Sequence, residues 1–273
     1  MRMIANHAHL MPPPARSAWW PEGGVDLLLR HLDACEIEKA IVFPPFANQM
    51  EGSMLRANQW ALGEVRLHPD RLIPAGTIFP LAQDALAVLQ MLHDLGVHWV
   101  KIHPAIDLHD IADPKAIPFY TRAAELGFVL DYHTGPHGAP LSFAKPEKFD
   151  HLAWDYPNLR LVFEHLGGRV YYPEFAAVLD NHPGRTFGGL TSIYEPAMYL
   201  WHIEKTQLEA LVKGLGADRF IFGLDFPWNS IEDTRQHIDI IRSLDISETD
   251  KELILGGNLT GLLRFSGNRS QDC

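Results

Sequence analysis

Short apolar runs alternate with amphipathic stretches along almost the whole chain, and this alternation constrains the fold more than any other feature. The runs have the length and composition of buried strands, and the stretches between them have helical apolar spacing. The predicted strands cover residues 3–9, 39–43, 71–78, 97–104, 128–133, 159–165, 186–193 and 219–225. The predicted helices cover residues 25–36, 54–68, 81–95, 116–126, 145–156, 174–180 and 205–215, with closing helices at 231–244, 248–255 and 258–264.

Eight strands that alternate with helices predict an α/β fold, a single (β/α)8 TIM barrel that is distorted and ends in closing helices. We expect one (β/α)8 barrel domain over residues 1–265 and a polar tail over residues 266–273. The strand at 186–193 is the weakest because it contains Gly188 and Gly189. Pro173 is expected in the first turn of the sixth helix.

The first strand ends in Asn6-His7-Ala8-His9. Alternate side chains of a strand point the same way, so His7 and His9 are expected side by side, where two imidazoles can chelate a metal. By itself such a pair is equally consistent with hydrogen-bonded histidines of a protein core.

Further polar side chains end later strands. Lys101 and His103 share one face of the fourth strand, and the last residues of three other strands are His133, His165 and Asp225. Parallel barrels place their chemistry at the carboxyl ends of the strands, so these side chains would face one mouth. Five of the 15 histidines fall at such ends, which favours a metal site.

Composition limits the classes of molecule that the protein is expected to bind. Lys and Arg number 23 against 34 Asp and Glu, giving a net charge of −11, and no basic stripe interrupts the chain. This argues against nucleic acid and anionic membranes and favours a small molecule. Cys35 and Cys273 imply no disulfide framework, and the sequence has neither a signal peptide nor a long apolar run, so a cytoplasmic protein is expected.

Six segments together resemble the amidohydrolase superfamily, specifically the amidohydrolase-related branch. That branch includes metal-dependent hydrolases and nonoxidative decarboxylases such as aminocarboxymuconate semialdehyde decarboxylase. The resemblance covers nearly the whole chain. The segments are His7-Ala-His9, Val100-Lys-Ile-His-Pro104, His133-Thr-Gly135, Glu164-His-Leu-Gly-Gly168, Phe222-Gly-Leu-Asp-Phe-Pro227 and Gly257-Asn258.

The resemblance implies a mononuclear site with His7, His9, His133 and Asp225 as ligands and His165 as the acid or base. Three imidazoles and one carboxylate suit one Zn²⁺ per chain, which would lower the pKa of a bound water to about 7. Asp225 would take a proton from that water while His165 polarises or protonates the substrate.

Two features leave alternatives open. The family often has an acidic residue before the first metal histidine, where this chain has Asn6, which would affect support of the ligands more than ligation. Two-metal members use the same histidines with a carboxylated strand-four lysine, so Lys101 and His165 would become ligands if two metals bind. Otherwise Lys101 is expected as an ammonium paired with Asp225 or substrate.

Four residues are candidates for substrate contact. His103 is as consistent with a bond to a neighbouring loop. Arg169 would clamp a substrate carboxylate, but the pattern favours a surface arginine that caps a helix end. Trp19 and Trp228 lie on loops where they would wall an aromatic or apolar pocket, or equally pack the loops or an oligomer contact. Alternation places Glu164 away from His165, so Glu164 is predicted to be structural.

These observations predict a metal-dependent hydrolase that acts on an amide, ester or lactone of a small molecule. A nonoxidative decarboxylase of a small aromatic or unsaturated acid is the alternative on the same site, because fold does not fix function. A catalytically silent ligand-binding barrel is a third reading. A homodimer is the expected assembly if the chain self-associates.

Overall fold

The structure is a computed structural model that describes residues 2–13, 21–50 and 52–268, with side chains as far as residue 264. The strands are β1 (Ile4–His9), β2 (Lys39–Phe43), β3 (Leu72–Pro74), β4 (Gly76–Thr77), β5 (Trp99–Ile102), β6 (Val129–His133), β7 (Arg160–Glu164), β8 (Thr186–Gly189), β9 (Phe220–Ile221) and β10 (Gly223–Phe226). The helices are α1 (Val25–Ala34), α2 (Met54–Val65), α3 (Ala85–Asp94), α4 (Ile117–Leu126), α5 (Pro146–Asp155), α6 (Gly168–Asn181), α7 (Lys205–Leu215), α8 (Ile231–Arg242), α9 (Glu248–Glu252) and α10 (Asn258–Asn268).

All strand pairs are parallel and form two hydrogen-bonded sheets, in the orders β10-β1-β2-β3 and β4-β5-β6-β7-β8-β9. The two gaps between the sheets fall inside the predicted third and eighth strands, where β3 continues into β4 and β9 continues into β10. The chain therefore links the sheets at both gaps, and eight strand positions surround one interior. The predicted distorted TIM barrel is confirmed.

A side chain from α2 satisfies the backbone at the first gap. The Asn58 amide group donates to the carbonyl oxygen of Thr77 over 2.9 Å, and its carbonyl oxygen accepts from the Thr77 N–H over 3.0 Å. Asn58 is fully buried, so these bonds replace strand pairing that the gap removes. At the second gap the Phe222 N–H donates to the carbonyl oxygen of Ile254, outside the sheet.

Alternation along the strands separates two apolar regions. Residues such as Val42, Val100 and Leu130 face outward into the main core beneath the helices. The intervening residues near the amino ends point inward and pack with two leucines of α10. The cluster also contains Phe43, at the carboxyl end of β2. We call the rest of it the apolar layer, which consists of Ile41, Ala75, Trp99, Val129, Val162, Phe187, Ile221, Leu259 and Leu262. The last helix therefore covers the amino end of the barrel.

Some predicted boundaries differ from the structure. Helix α6 begins at Gly168, so Pro173 lies inside it and the prediction of a first-turn proline is wrong. Pro173 has no N–H to donate to the carbonyl of Arg169, and the helix accommodates that loss. Helix α10 runs to Asn268, beyond the predicted end at Arg264. Cys35 is a buried free thiol. In the described part of the chain, no helix combines the length and apolar composition needed to cross a bilayer.

Candidate metal centre and substrate cavity

Strand β1 carries a bulge at its carboxyl end. The register with β10 shifts between Asn6 and Ala8, and His7 has a φ of 64°. The Asn6 amide donates to Glu164 Oε1 over 2.5 Å, and His7 Nδ1 lies 3.5 Å from Glu164 Oε2. A regular strand would send these two consecutive side chains to opposite faces. The bulge brings both to one carboxylate.

His7 and His9 nevertheless stand side by side, with their Nε2 atoms 3.3 Å apart. His7 Nε2 also lies 3.4 Å from Asp225 Oδ1. One ligand atom each from His7, His165 and Asp225 lies within 4.8 Å of the other two. The structure therefore brings four of the predicted site residues to one point at the carboxyl end of the barrel, which we call the mouth.

His133 reaches the same mouth from β6. Its ring centroid lies 4.7 Å from that of His165, and its Nε2 atom is buried without a hydrogen-bond partner among the described residues. His133 also belongs to a second group, with His103 and His137, whose ligand atoms lie within 4.8 Å of one another. The mouth thus contains two adjoining histidine groups.

Left-handed backbone recurs around this mouth. His7, His165, Ser192 and Asp225 have φ values of 64°, 66°, 56° and 56°. Non-glycine residues rarely adopt this conformation, and such residues concentrate at functional sites. At the end of β7 the left-handed backbone of His165 interrupts the alternation of side chains between the two faces of the strand. Glu164 and His165 both contact His7. The prediction that Glu164 points away from His165 is therefore wrong.

A buried polar layer lies beneath the histidines and consists of Asn6, Lys101, Asp131 and Glu164. Lys101 Nζ donates to Asp131 Oδ1 over 3.0 Å and lies 3.3 Å from His7 Nδ1. Asp131 Oδ2 accepts from the Asn6 amide over 2.7 Å. Lys101 thus pairs with Asp131. The predicted pairing of Lys101 with Asp225 or substrate is not the one that the structure contains. Burial raises the pKa of Glu164 well above its usual value, and the neighbouring Asp131 carboxylate adds to this rise.

A cavity of about 710 Å³ opens above the candidate ligands. Its apolar walls include Phe46, Ile106, Met198, Trp201 and Trp228. Among the described residues, the lining contains neither lysine nor arginine. The polar lining residues are His7, His9, His103, His133, His137, His165, Ser192, Asp225 and Asn229.

Similarity to known proteins identifies the family of this chain. A family model described as amidohydrolase matches residues 4–265. The chain belongs to the amidohydrolase family. The match spans all the strands of the barrel.

Three solved structures of known proteins share the fold of this chain. An uncharacterised TIM-barrel protein from Bordetella bronchiseptica is 20% identical, with a TM-score of 0.77 over 98% of this chain and 100% of that one. A dihydroxybenzoic acid decarboxylase from Polaromonas, with bound manganese and the inhibitor 2-nitroresorcinol, is 15% identical, with a TM-score of 0.71 over 100% and 99%. A probable 2-pyrone-4,6-dicarboxylic acid hydrolase from Acinetobacter baumannii is 18% identical, with a TM-score of 0.67 over 97% and 100%.

Only some of the residues predicted to contact substrate line the cavity. His103 and Trp228 line the cavity, and the Trp228 ring lies 5.4 Å from the His9 ring. The Arg169 guanidinium instead stacks over Tyr199, 4.6 Å from its ring centroid, and Arg169 is not among the described lining residues. A carboxylate clamp by Arg169 therefore has no support from the cavity. Trp19 lies outside the described residues.

Hydrogen bonds orient the two candidate catalytic groups. Ser192 Oγ donates to Asp225 Oδ2 over 2.6 Å, and Asn229 Nδ2 donates to Ser192 Oγ over 3.0 Å. His165 Nδ1 donates to the carbonyl oxygen of Thr191 over 2.8 Å. Burial raises the pKa of Asp225, whereas burial and the nearby Lys101 charge lower the pKa of His165 to about 3.

Sequence reasoning missed Ser192, Asn229, His137, Phe46 and Trp201 as site residues. The sequence could have indicated two of them, because each follows a predicted ligand closely. His137 follows His133 in a loop that contains Gly135 and Pro136, and Asn229 follows Asp225 in a turn. Ser192 lies inside the predicted strand at 186–193, and Phe46 and Trp201 come from loops without polar motifs. Trp201 contacts the rings of His133 and His165 at centroid distances of 5.5 and 5.1 Å, which only the folded loop between β8 and α7 makes evident.

Proposed function

We propose that this protein is a metal-dependent hydrolase that cleaves an ester, lactone or amide of a neutral small molecule. The arrangement of Asp225 carries the proposal. Ser192 occupies Oδ2, while Oδ1 faces His7 Nε2 at 3.4 Å. A carboxylate with one oxygen held by Ser192 is suited to accept a proton from water at the other oxygen.

The residues at the mouth fit a divalent metal. Three imidazoles and one carboxylate form a common zinc donor set, and the buried Nε2 atom of His133 has no partner among the described residues. We propose one Zn²⁺ per chain, held by His7, His9, His133 and Asp225; manganese, as in the Polaromonas decarboxylase, is the alternative. When bound, such an ion supplies Lewis-acid activation of water and of a carbonyl oxygen.

The buried polar layer favours one metal over two. Lys101 supplies the single ammonium beside the Asp131 and Glu164 carboxylates. Carboxylation of Lys101 would remove that positive charge and add a buried anion beside the two acidic groups. His165 then remains available as a proton relay, because its Nδ1–H is held by Thr191 and Nε2 is left to accept a proton and pass it to the leaving group.

A decarboxylase is the second candidate, and the aromatic cavity wall favours it. Phe46, Trp201 and Trp228 form a surface suited to a flat unsaturated ring. The Polaromonas protein of the same fold is a decarboxylase, and the Acinetobacter protein is a probable hydrolase. In this reading His165 or Asp225 delivers a proton to carbon. The cavity's lack of cationic side chains, among the residues described, favours a substrate without a second carboxylate.

Metal analysis is the first test. Inductively coupled plasma mass spectrometry on protein purified without added metal or chelator should find one zinc per chain. His9→Ala and Asp225→Ala should lose metal, whereas His165→Ala should retain most of it. His93→Ala is a matched control, because His93 pairs with His98 away from the cavity. Full loss in His165→Ala would indicate two metals, and a metal-free wild type that gains nothing from added divalent ions would refute the proposal.

Product analysis separates the candidate activities. The metal-loaded protein is incubated with aryl esters, lactones, anilides and hydroxybenzoates. Release of an acid with an alcohol or amine supports hydrolysis, and release of carbon dioxide from a hydroxybenzoate supports decarboxylation. If metal is bound but no compound turns over, the reading as a silent ligand-binding barrel gains support.

We also propose a cytoplasmic homodimer without nucleic-acid or membrane partners. The net charge of −11 supports the absence of those partners, and dimers are the commonest assemblies of soluble proteins. Size-exclusion chromatography with light scattering should give twice the mass of one chain. The mass of a single chain would refute the dimer.

A further inference from the structure

His103 occupies a restrained position on the cavity wall, directly after β5. Its ring stacks almost parallel on that of His133, with centroids 3.9 Å apart and an interplanar angle of 12°. Phe46 and His137 contact the ring edge-on, at centroid distances of 5.5 and 4.9 Å. Packing on three sides therefore fixes the orientation of the imidazole.

The loop after β5 also fixes the tautomer of His103. The backbone N–H of Ile106 donates to His103 Nδ1 over 3.3 Å, and the N–H of Asp107 donates to the His103 carbonyl oxygen over 3.0 Å. A ring nitrogen that accepts a hydrogen bond carries a lone pair, so the ring proton is on Nε2. No hydrogen bond joins this Nε2 to any described residue, which leaves its N–H for a molecule in the cavity.

His165 has the opposite polarity. Its Nδ1 bonds to the carbonyl oxygen of Thr191, which can only accept, so the proton is on Nδ1 and the lone pair is on Nε2. The His133 ring lies between the two, 3.9 Å from the His103 centroid and 4.7 Å from that of His165. The cavity thus has a hydrogen-bond donor and an acceptor on either side of His133.

A second metal is a poorer use of the group formed by His103, His133 and His137. The lone pairs of imidazoles lie in the ring planes, so the nearly parallel rings of His103 and His133 direct them alongside one another instead of toward one point. His103 Nδ1 is already occupied by the Ile106 N–H. These contacts fit a donor to substrate better than a metal ligand.

We infer that His103 donates its Nε2–H to the carbonyl oxygen of the substrate and stabilises the negative charge that develops there. This makes His103 a catalytic residue for an ester, lactone or amide whose oxygen faces His103. The donor keeps its proton throughout, and the bond strengthens as charge builds on the oxygen. The inference rests on the proposed function in taking this cavity as the substrate site.

Two measurements test this role. In protein labelled with ¹⁵N-histidine, long-range ¹H–¹⁵N correlation should give the Nε2–H tautomer for His103, with its signals assigned by their loss in His103→Gln. The second is the Kd of metal-loaded protein for phenylphosphonate, which places a tetrahedral anion on an aromatic ring. His103→Phe should weaken binding about 100-fold, as loss of one oxyanion donor does. His103→Gln, which retains an N–H donor, should stay within a few-fold of wild type.

The outcomes distinguish this inference from the proposed function. An exposed-histidine control, His151→Phe, should bind phenylphosphonate like the wild type. The Nδ1–H tautomer, or equal affinity in all variants, overturns the inference even if hydrolysis is found. If no hydrolysis occurs but phosphonate affinity still depends on His103, the donor role stands and hydrolysis is wrong. If the wild type does not bind the probe, the tautomer decides.

Discussion

The barrel interior contains two layers of opposite chemistry, built from the same strands. Trp99, Val129 and Val162 belong to the apolar layer near the amino ends. Two residues later on the same strands are the three charged members of the polar layer: Lys101, Asp131 and Glu164. Both sets point inward, because side chains two apart share a face. The comparison indicates that height along the barrel axis, and not the choice of strand, separates stabilising positions from those that support the site.

The largest expected effect is at the only cationic member of the polar layer. Lys101→Met leaves the buried acidic groups of Asp131 and Glu164 without their ammonium and should lower the free energy of unfolding by about 3–5 kcal/mol. Asp131→Asn removes one of those acidic groups and should cost less. Urea denaturation with chelator present measures both.

Lys213→Met is the matched control for Lys101→Met, because Lys213 pairs with Asp245 at the surface over 2.7 Å. It should unfold nearly like the wild type. If Lys101→Met lowers the free energy of unfolding no more than Asp131→Asn does, the single ammonium is not what stabilises the polar layer. The proposed difference between the polar and apolar layers would then lose support.

The apolar layer should affect stability alone. Leu259 is fully buried at the amino end, so Leu259→Ala should lower the free energy of unfolding by about 2–5 kcal/mol. Metal content and turnover per folded molecule should not change, since Leu259 does not line the cavity. Leu67→Ala is the control, because Leu67 is 72% exposed. Loss of metal in Leu259→Ala would show that the layers are coupled.

A buried histidine outside both layers provides a contrast to the polar layer, because its ring has no hydrogen bonds within the part of the chain that the structure describes. Both ring nitrogens of His109 are buried without a partner among the described residues, and burial lowers its pKa to about 4. The unfolded chain therefore binds this proton below pH 6.5, whereas the folded protein binds it only near pH 4. Stability should fall as pH decreases across this window.

For His109, the fall between pH 7 and pH 4.5 should amount to about 2–3 kcal/mol. His109→Leu should remove that part of the pH dependence, while His151→Gln, at an exposed position, should keep it. Urea titrations at the two pH values measure the difference. An unchanged slope in His109→Leu would contradict the prediction.

The smallest expected effect concerns Asn6. Its amide donates to both Asp131 and Glu164, so Asn6→Asp removes the donor and adds a third carboxylate. The free energy of unfolding should fall by about 1–3 kcal/mol, the usual cost of buried groups that lose a partner. Adding Glu164→Gln in the same chain should recover part of the loss, because it restores two carboxylates and an amide donor. No recovery would indicate that the amide at position 6 matters through shape alone.

Local sequence patterns determined the alternation of strands and helices and the polar residues at the carboxyl ends. Buried-strand composition and helical spacing are short-range properties, so the barrel and the neighbouring positions of His7, His9, His165 and Asp225 followed from them. The partners of Lys101 and Glu164 did not follow. Alternation assumes a regular strand, and it fails at the bulge of β1 and at the left-handed His165.

Only the tertiary structure decided which groups meet across the barrel. Lys101 pairs with Asp131 because β5 and β6 are in register at those two residues, and α10 contributes Leu259 to the opposite end of the interior. The tautomers of His103 and His165 likewise depend on backbone groups of loops that fold back over the strand ends. The sequence alone established which polar side chains end the strands at the mouth, because residue type and strand position are local. Their pairing depends on register, bulges and loop paths, which are settled only when distant segments pack together.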